Sequence, residues 1–412
     1  MTSLRRAAGS LLVVGLAGTE LTALERAWLK VVGPGGIILF KRNIADTRQT
    51  RALLGEAAAL GAENGFRCVD VEGGTVNRLR DALGALPSAQ AVGRAGRSSA
   101  ELVPPTHSQK ARMNGAPSES RRQQKIEKVG SSTPLRSAQN DRAPKVSGLA
   151  REHGELVARA VRAFGFNTTL APVLDLGLAE SAAVMGTRAA AETAAGVVEY
   201  ARGFVAGLAS QGVVGCGKHF PGLGGGTLDS HLDTPEIQRP GRELWYEDLA
   251  PYRELRDELP MVMVNHAAYP KVPGKGRPAS VSRYWIENVL RKRIGYRGIV
   301  FSDDLEMGGI LKSFSIEEAA VEAVRAGTDL VEICHSPELI LRAYEALMAE
   351  GERSRAFGGM LLKRAARLER LRGMLFADGV SPALPARQFE ALRTRILRFG
   401  ETVARAQETL PA

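Results

Sequence analysis

Eight short, β-branched, apolar runs alternate with longer stretches of helical periodicity, and that alternation limits what this chain can fold into. The runs lie at 10–15, 36–40 (Gly-Ile-Ile-Leu-Phe), 67–71, 168–174, 213–217, 261–265 (Met-Val-Met-Val-Asn), 298–302 (Gly-Ile-Val-Phe-Ser) and 329–334. Between them, 146–164, 192–210 and 315–326 read as amphipathic helices. Eight β–α units in 412 residues predict an α/β fold, a (β/α)8 barrel rather than an open sheet. The barrel would occupy 1–93 and 147–374 as a single catalytic domain. Residues 352–374 are basic and helical in pattern, and 375–412 read as a loop and a helical tail, too short for a second catalytic domain.

Polar residues crowd just after the strands: Asp70 and Glu72 with Gly73-Gly74, Asp175, Lys218-His219, Asn265-His266 and Asp303-Asp304. Active sites of such barrels lie at the C-terminal strand ends, so these groups should converge on one mouth. The stretch 218–231 is the densest, reading Lys-His-Phe-Pro-Gly-Leu-Gly-Gly-Gly-Thr-Leu-Asp-Ser-His. Glycines let a loop fold over a ligand, and Asp229 two residues from His231 can set the imidazole's tautomer and basicity. A carboxylate at a strand end together with a His on a loop suggests covalent catalysis with separate proton transfer.

The net charge of +10 invites a nucleic-acid reading, but its location argues against one. Residues 94–146 hold eleven Lys and Arg against four Asp and Glu, most of the excess, and no Phe, Trp or Tyr. That segment cannot bury enough apolar surface to offset the entropy of ordering, so it is expected to be a disordered insertion in a loop on the active-site face. It also lacks the aromatic platforms of a single-strand binder, so no nucleic-acid partner is expected. Arg5-Arg6 before an apolar run resembles a short signal peptide. The barrel, however, needs Ser10–Gly15 as its first strand, and Thr22 to Glu25 looks like a helix start. No run reaches membrane-spanning length, so no membrane partner is expected. Cys68, Cys216 and Cys334 are odd in number, show no zinc spacing and sit in apolar runs. They are expected to be buried free thiols of a reducing, cytoplasmic compartment.

With these motifs in view, the sequence resembles glycoside hydrolase family 3, most closely its single-domain bacterial β-N-acetylglucosaminidases of peptidoglycan recycling. The resemblance runs from about residue 10 to about residue 350. It rests on six motifs in family order: Gly36–Asn43, Val69–Gly74, Leu170–Asp175, Met185–Arg188, the 218–231 loop and Ile299–Leu305. It implies Asp303 as the nucleophile that forms a glycosyl-enzyme intermediate with retention. Residues alone do not choose between Asp303 and Asp304; the order comes from the family, and Asp304 is read as a capping or salt-bridging neighbour. The resemblance also implies Asp229 and His231 as the acid/base dyad. Asp70, Arg78, Arg188, Lys218 and His219 would bind the sugar, with Glu72 and His266 behind them. The implied substrate is a saccharide or muropeptide taken by a monomer, with no metal and no cofactor. The family loop reads Pro-Gly-His-Gly where this chain has Leu223, a departure that bears on rate and leaving-group preference rather than on reaction class.

Three readings compete with hydrolysis of a terminal N-acetylglucosamine: a β-glucosidase, a phosphorylase using phosphate in place of water, and a catalytically impaired binding protein. A His acid/base would favour the phosphorylase, since a neutral group repels phosphate less than a carboxylate does.

Overall fold

The computed structural model describes residues 3–101, 148–226, 234–273, 276–379 and 382–408. Eight parallel strands close into a barrel. In chain order they are β1 (Leu12–Gly15), β2 (Gly36–Leu39), β3 (Phe66–Val69), β4 (Thr168–Thr169), β5 (Val214–Phe220), β6 (Met261–Val264), β7 (Ile299–Asp304) and β8 (Leu330–Ile333). Each pairs with its neighbours in sequence, and β1 closes the ring against β8, with Leu12 opposite Val331 and Val13 opposite Glu332. All eight apolar runs therefore supply a strand. The anticipated fourth strand is cut to two residues. Pro172 has no N–H to give a ladder, although Ala171 and Pro172 still accept from Cys216 and Lys218 through their carbonyls.

The run after Arg5-Arg6 is not spare chain. Leu4–Ser10 is a short helix and Leu12–Gly15 is a fully buried barrel strand. Helices start where local chemistry provides for their orphan N–H groups. Thr22 with Glu25, and Ser315 with Glu318, form reciprocal capping boxes. The amphipathic stretches become the helices Gly148–Ala163, Ala194–Ala209 and Ile316–Ala326, which cover the barrel's outside. Their apolar faces and the two faces of the strands form the core, with Phe301, Met261 and Cys216 on one side of the wall and Val300 and Val262 on the other.

The insertion begins later than the composition indicated. Residues 94–101 continue a helix, Ala89–Glu101, and Ala95 is fully buried. One alanine at the right helical phase is enough to anchor a turn that charge and Ser content would assign to loop. The rest of that segment, 102–147, lies outside the described residues. The tail holds a long helix, Ala386–Glu408, that packs on Ala89–Glu101 and Gly148–Ala163. Among the described residues, no helix is long and apolar enough to cross a membrane. Cys68, Cys216 and Cys334 are all buried and unpaired.

Candidate active site

The C-terminal strand ends surround a cavity of about 490 Å³, lined by Asp70, Arg78, Arg188, Lys218, His219 and Asp303 among others. Six of the eight site residues expected from sequence thus meet in one place. The other two, Asp229 and His231, lie outside the described residues, as does everything from 227 to 233.

The β3 corner shows how the backbone delivers these groups. After Asp70 the chain forms a hairpin, Val71–Gly73 with Val76–Asn77, that turns at Gly73 and Gly74. Both glycines have positive φ (96° and 59°), and a Cβ at Gly73 would lie 2.2 Å from the Pro87 carbonyl oxygen. Only glycine fits there. The return brings the Arg78 N–H to the Asp70 carbonyl and leaves the Arg78 guanidinium 3.7 Å from the Asp70 carboxylate.

At β5, two neighbouring side chains both face the cavity, which regular pleating would forbid. The register with β6 slips between Gly217 and Phe220, and Lys218 and His219 both reach the mouth while buried. Lys218 Nζ sits 2.9 Å from Asp70 and 2.7 Å from Glu72. Arg188 grips Glu72 with two bonds of 2.9 and 2.8 Å. Burial pushes the Glu72 carboxyl up, but Lys218 and Arg188 outweigh it and hold the group well below the usual carboxylate range. Burial likewise opposes the charge on Lys218, and Asp70 and Glu72 outweigh it, raising the ammonium above its ordinary value. Two anions and two cations thereby fix one another with little room to move.

Asp175 organises His219. Its Oδ2 lies 2.6 Å from Nδ1 and accepts from the His219 main chain, and its Oδ1 accepts from the Leu223 N–H at 2.7 Å. That contact holds the ring by Nδ1 and leaves Nε2 toward the cavity, 3.4 Å from Arg188 Nη2. Sequence reasoning placed Asp175 at the mouth without giving it a task. Leu223 keeps its main-chain bond to Asp175 and turns its side chain to the cavity.

The opposite wall is β7 and β8. Asp303 lines the cavity and accepts the Asp304 N–H at 3.0 Å. Burial raises its carboxyl, yet His219, His266, Lys218 and that N–H outweigh it, leaving Asp303 below its ordinary value and ionised. Asp304 does what a neighbouring acid was expected to do: its Oδ1 caps the Glu306 N–H, and its Oδ2 lies 3.7 Å from His335 Nε2. Burial outweighs that N–H and pushes its carboxyl up to about 7, with Glu306 and Asp303 adding to the rise. His266 sits behind the wall, bonded to Ser280 Oγ at 2.7 Å and to the Asp304 carbonyl at 2.9 Å.

Sequence reasoning missed several groups. Phe40 stacks on His335 at the rim, with Arg42 and Arg78 over its face. Glu332 on β8 and Cys334 just past its end also line the cavity. The signal for Glu332 was present: a carboxylate inside the apolar run Leu330–Ile333. Among the described residues, one trio could approach a cation, Asp304, Glu306 and His335, with ligand atoms within 4.8 Å of one another. Glu306 is already committed to the N–H groups of Cys334, His335 and Ser336.

The arrangement pairs an ionised carboxylate at a strand end, Asp303, with a wall of fixed donors and acceptors, suited to a polyhydroxylated ligand. Comparison with known proteins points the same way. Residues 122–367 match the family model described as "Glycosyl hydrolase family 3 N terminal domain". A protein named beta-hexosaminidase from Xanthomonas oryzae pv. oryzae is 32% identical over 353 residues, 85% of this chain and 91% of the relative. One of the same name from Bordetella parapertussis is 36% identical over 329 residues, 79% of this chain and 80% of the relative. Among solved structures, a family 3 β-N-acetylglucosaminidase from Paenibacillus sp. str. FPU-7 superposes with a TM-score of 0.77 at 28% identity, covering 97% of this chain and 69% of that one. NagZ from Neisseria gonorrhoeae, in complex with N-trifluoroacetyl-D-glucosamine, superposes with a TM-score of 0.68 at 28% identity, covering 96% and 98%.

Proposed function

The chain belongs to glycosyl hydrolase family 3 and is a glycoside hydrolase acting on O-glycosyl bonds; on that premise we propose that it is a retaining exo-β-N-acetylglucosaminidase that removes terminal N-acetylglucosamine from cell-wall muropeptides. The observation that carries this reading is Asp303, held ionised at the end of β7 and facing the Asp70–Lys218–Arg188 wall across one cavity. The beta-hexosaminidase names of the relatives and the N-acetylglucosamine analogue bound by the Neisseria protein support the sugar.

In this mechanism Asp70, Arg78, Arg188, Lys218 and His219 hold the hydroxyls and acetamido group of the non-reducing sugar. Charged donors and acceptors give the stronger hydrogen bonds, and these are already oriented before substrate arrives. The Asp303 carboxylate attacks the anomeric carbon as the bond to the leaving oxygen breaks. His231, oriented by Asp229, gives its proton to that oxygen. Water then attacks the glycosyl ester, His231 takes its proton, and Asp303 leaves as the carboxylate with the sugar's configuration retained. No step calls on a metal or cofactor.

A monomer in the cytoplasm fits this role. The three free thiols support a reducing compartment.

Release of nitrophenol from the β-linked N-acetylglucosaminide and from the β-glucoside, in phosphate-free buffer, tests the proposal. The N-acetyl substrate is expected to be preferred, and His231→Ala to lose that turnover. A preference for the glucoside, sugar phosphate as product once phosphate is added, or no turnover from folded protein would overturn it.

A further inference from the structure

Among the described residues, four carboxyl groups line the cavity, and they are not equivalent. Asp70 has Lys218 at 2.9 Å, and Asp303 faces His219, His266 and Lys218. Asp304 caps a main-chain N–H. Glu332 has none of these. It is 3% exposed and points inward from β8, and among the described residues the one bond to its carboxyl comes from the Cys334 thiol, 3.2 Å from Oε1. Among the described residues, no Lys, Arg or His lies within ion-pair distance of it.

Among the described residues, the surroundings agree. β1 places Val13 beside Glu332 and brings no ionisable group from Leu12 to Gly15. β7 brings Asp303 and Asp304. Across the barrel, β3 contributes Cys68 and leads into Asp70. β5 contributes Cys216 and Lys218, whose ammonium is committed to Asp70 and Glu72. Arg42 is spent on the carbonyls of Leu16 and Cys334, and His335 stacks on Phe40. Burial pushes the Glu332 carboxyl up, and Asp304, Asp303 and Asp70 push it further the same way.

We infer that Glu332 works as a neutral carboxylic acid in the floor of the sugar pocket, a positioning residue that offers one O–H to the cavity and leaves the floor's negative charge on Asp303. The inference rests on the sugar-hydrolysis reading of the same cavity. A buried acid kept neutral is a donor that a carboxylate cannot be. Acceptors within its cavity include the sugar's hydroxyl oxygens and the Asp303 carboxylate. A second anion beside Asp303 would also raise the pH at which the nucleophile ionises.

The experiment compares Glu332→Gln, Glu332→Leu and the wild type. Glutamine is neutral at every pH and keeps a donor. It should leave the acid limb of kcat/KM, set by Asp303, where it is in the wild type. A limb moved to lower pH would show that Glu332 had been charged, and would overturn the inference. Leucine removes the donor and should raise KM about tenfold; an unchanged KM overturns the positioning role. Infrared difference spectra at about pH 8, above the range in which ordinary carboxyls hold protons, give a reading independent of turnover. The carbonyl band of a protonated carboxyl should be present in the wild type and lost in Glu332→Gln. Its absence from the wild type overturns the inference even if hydrolysis is established, and its presence upholds the neutral acid even if another reaction replaces hydrolysis.

Discussion

The two walls of the cavity carry the same functional group in opposite settings. On the wall built from β3, β4 and β5, each buried carboxylate meets a partner: Glu72 has Arg188 and Lys218, Asp70 has Lys218, and Asp175 has His219. On the wall built from β7 and β8, Asp304 and Glu332 meet main-chain N–H, S–H and His335 ring groups among the described residues, and Asp303 gains enough positive charge from across the cavity to outweigh burial. The first wall is a rigid, ionised lattice; the second sets one anion among acids that burial drives toward neutrality. The charge state of a carboxyl here is decided by which strand faces it, and the two walls divide holding from reacting.

The sharpest way to break that division is to remove the one anion of the second wall. Asp303→Ala is expected to lower turnover by on the order of a thousandfold or more, with the thermal transition little changed. Near-normal turnover would mean that the nucleophile lies elsewhere. On the paired wall the effect should fall on stability instead. Lys218→Met leaves Asp70 and Glu72 with too little positive charge and should cost about 3–5 kcal/mol in denaturant unfolding. A loss under about 1 kcal/mol would show the lattice to be looser than its distances indicate.

Titration should separate the walls without any loss of a partner. Glu72 is depressed in the fold, so its contribution is present above its unfolded value and disappears as pH falls. Asp304 is raised to about 7, so its contribution is full in acid and disappears as pH rises through about 7. Asp304→Asn, which cannot ionise, should therefore gain stability on the wild type between about pH 4 and pH 8, by on the order of 1–3 kcal/mol. Parallel stability curves would mean that Asp304 is ionised throughout. The smallest effect belongs to Leu223. Its main-chain bond to Asp175 does not depend on its side chain, so Leu223→Ala should change turnover less than about tenfold. A larger loss would give the side chain a direct part in seating the sugar.

The barrel was legible because its strands are marked twice, by β-branched runs and by the polar residues that end them. Where a strand deviates, the sequence says less. The two-residue β4 follows from Pro172, but the hairpin after Asp70 and the register slip at Lys218-His219 depend on neighbouring strands. The cavity's membership could be read from residues placed after strands, as with Asp70, Lys218, His219 and Asp303. Partnership could not, since Glu72 meets Arg188 across 116 positions and Lys218 meets Asp70 across 148. Glu332 was overlooked for a related reason: inside an apolar run a charge reads as noise until the register shows which face it takes. The late start of the insertion teaches the converse, since Ala95 was hidden by its charged neighbours.

The closing seam between β1 and β8 has a consequence for how the molecule is made. Leu12 and Val331 are opposite one another, so β1 cannot find its second edge until more than three hundred residues have followed it from the ribosome. At about 5–20 residues per second, Leu12–Gly15 would wait tens of seconds with one side unpaired. An apolar strand edge exposed that long is a template for mispairing with other nascent chains. The short helix Leu4–Ser10 and the bend that begins at Ala17 bound that edge to four residues, which limits the template.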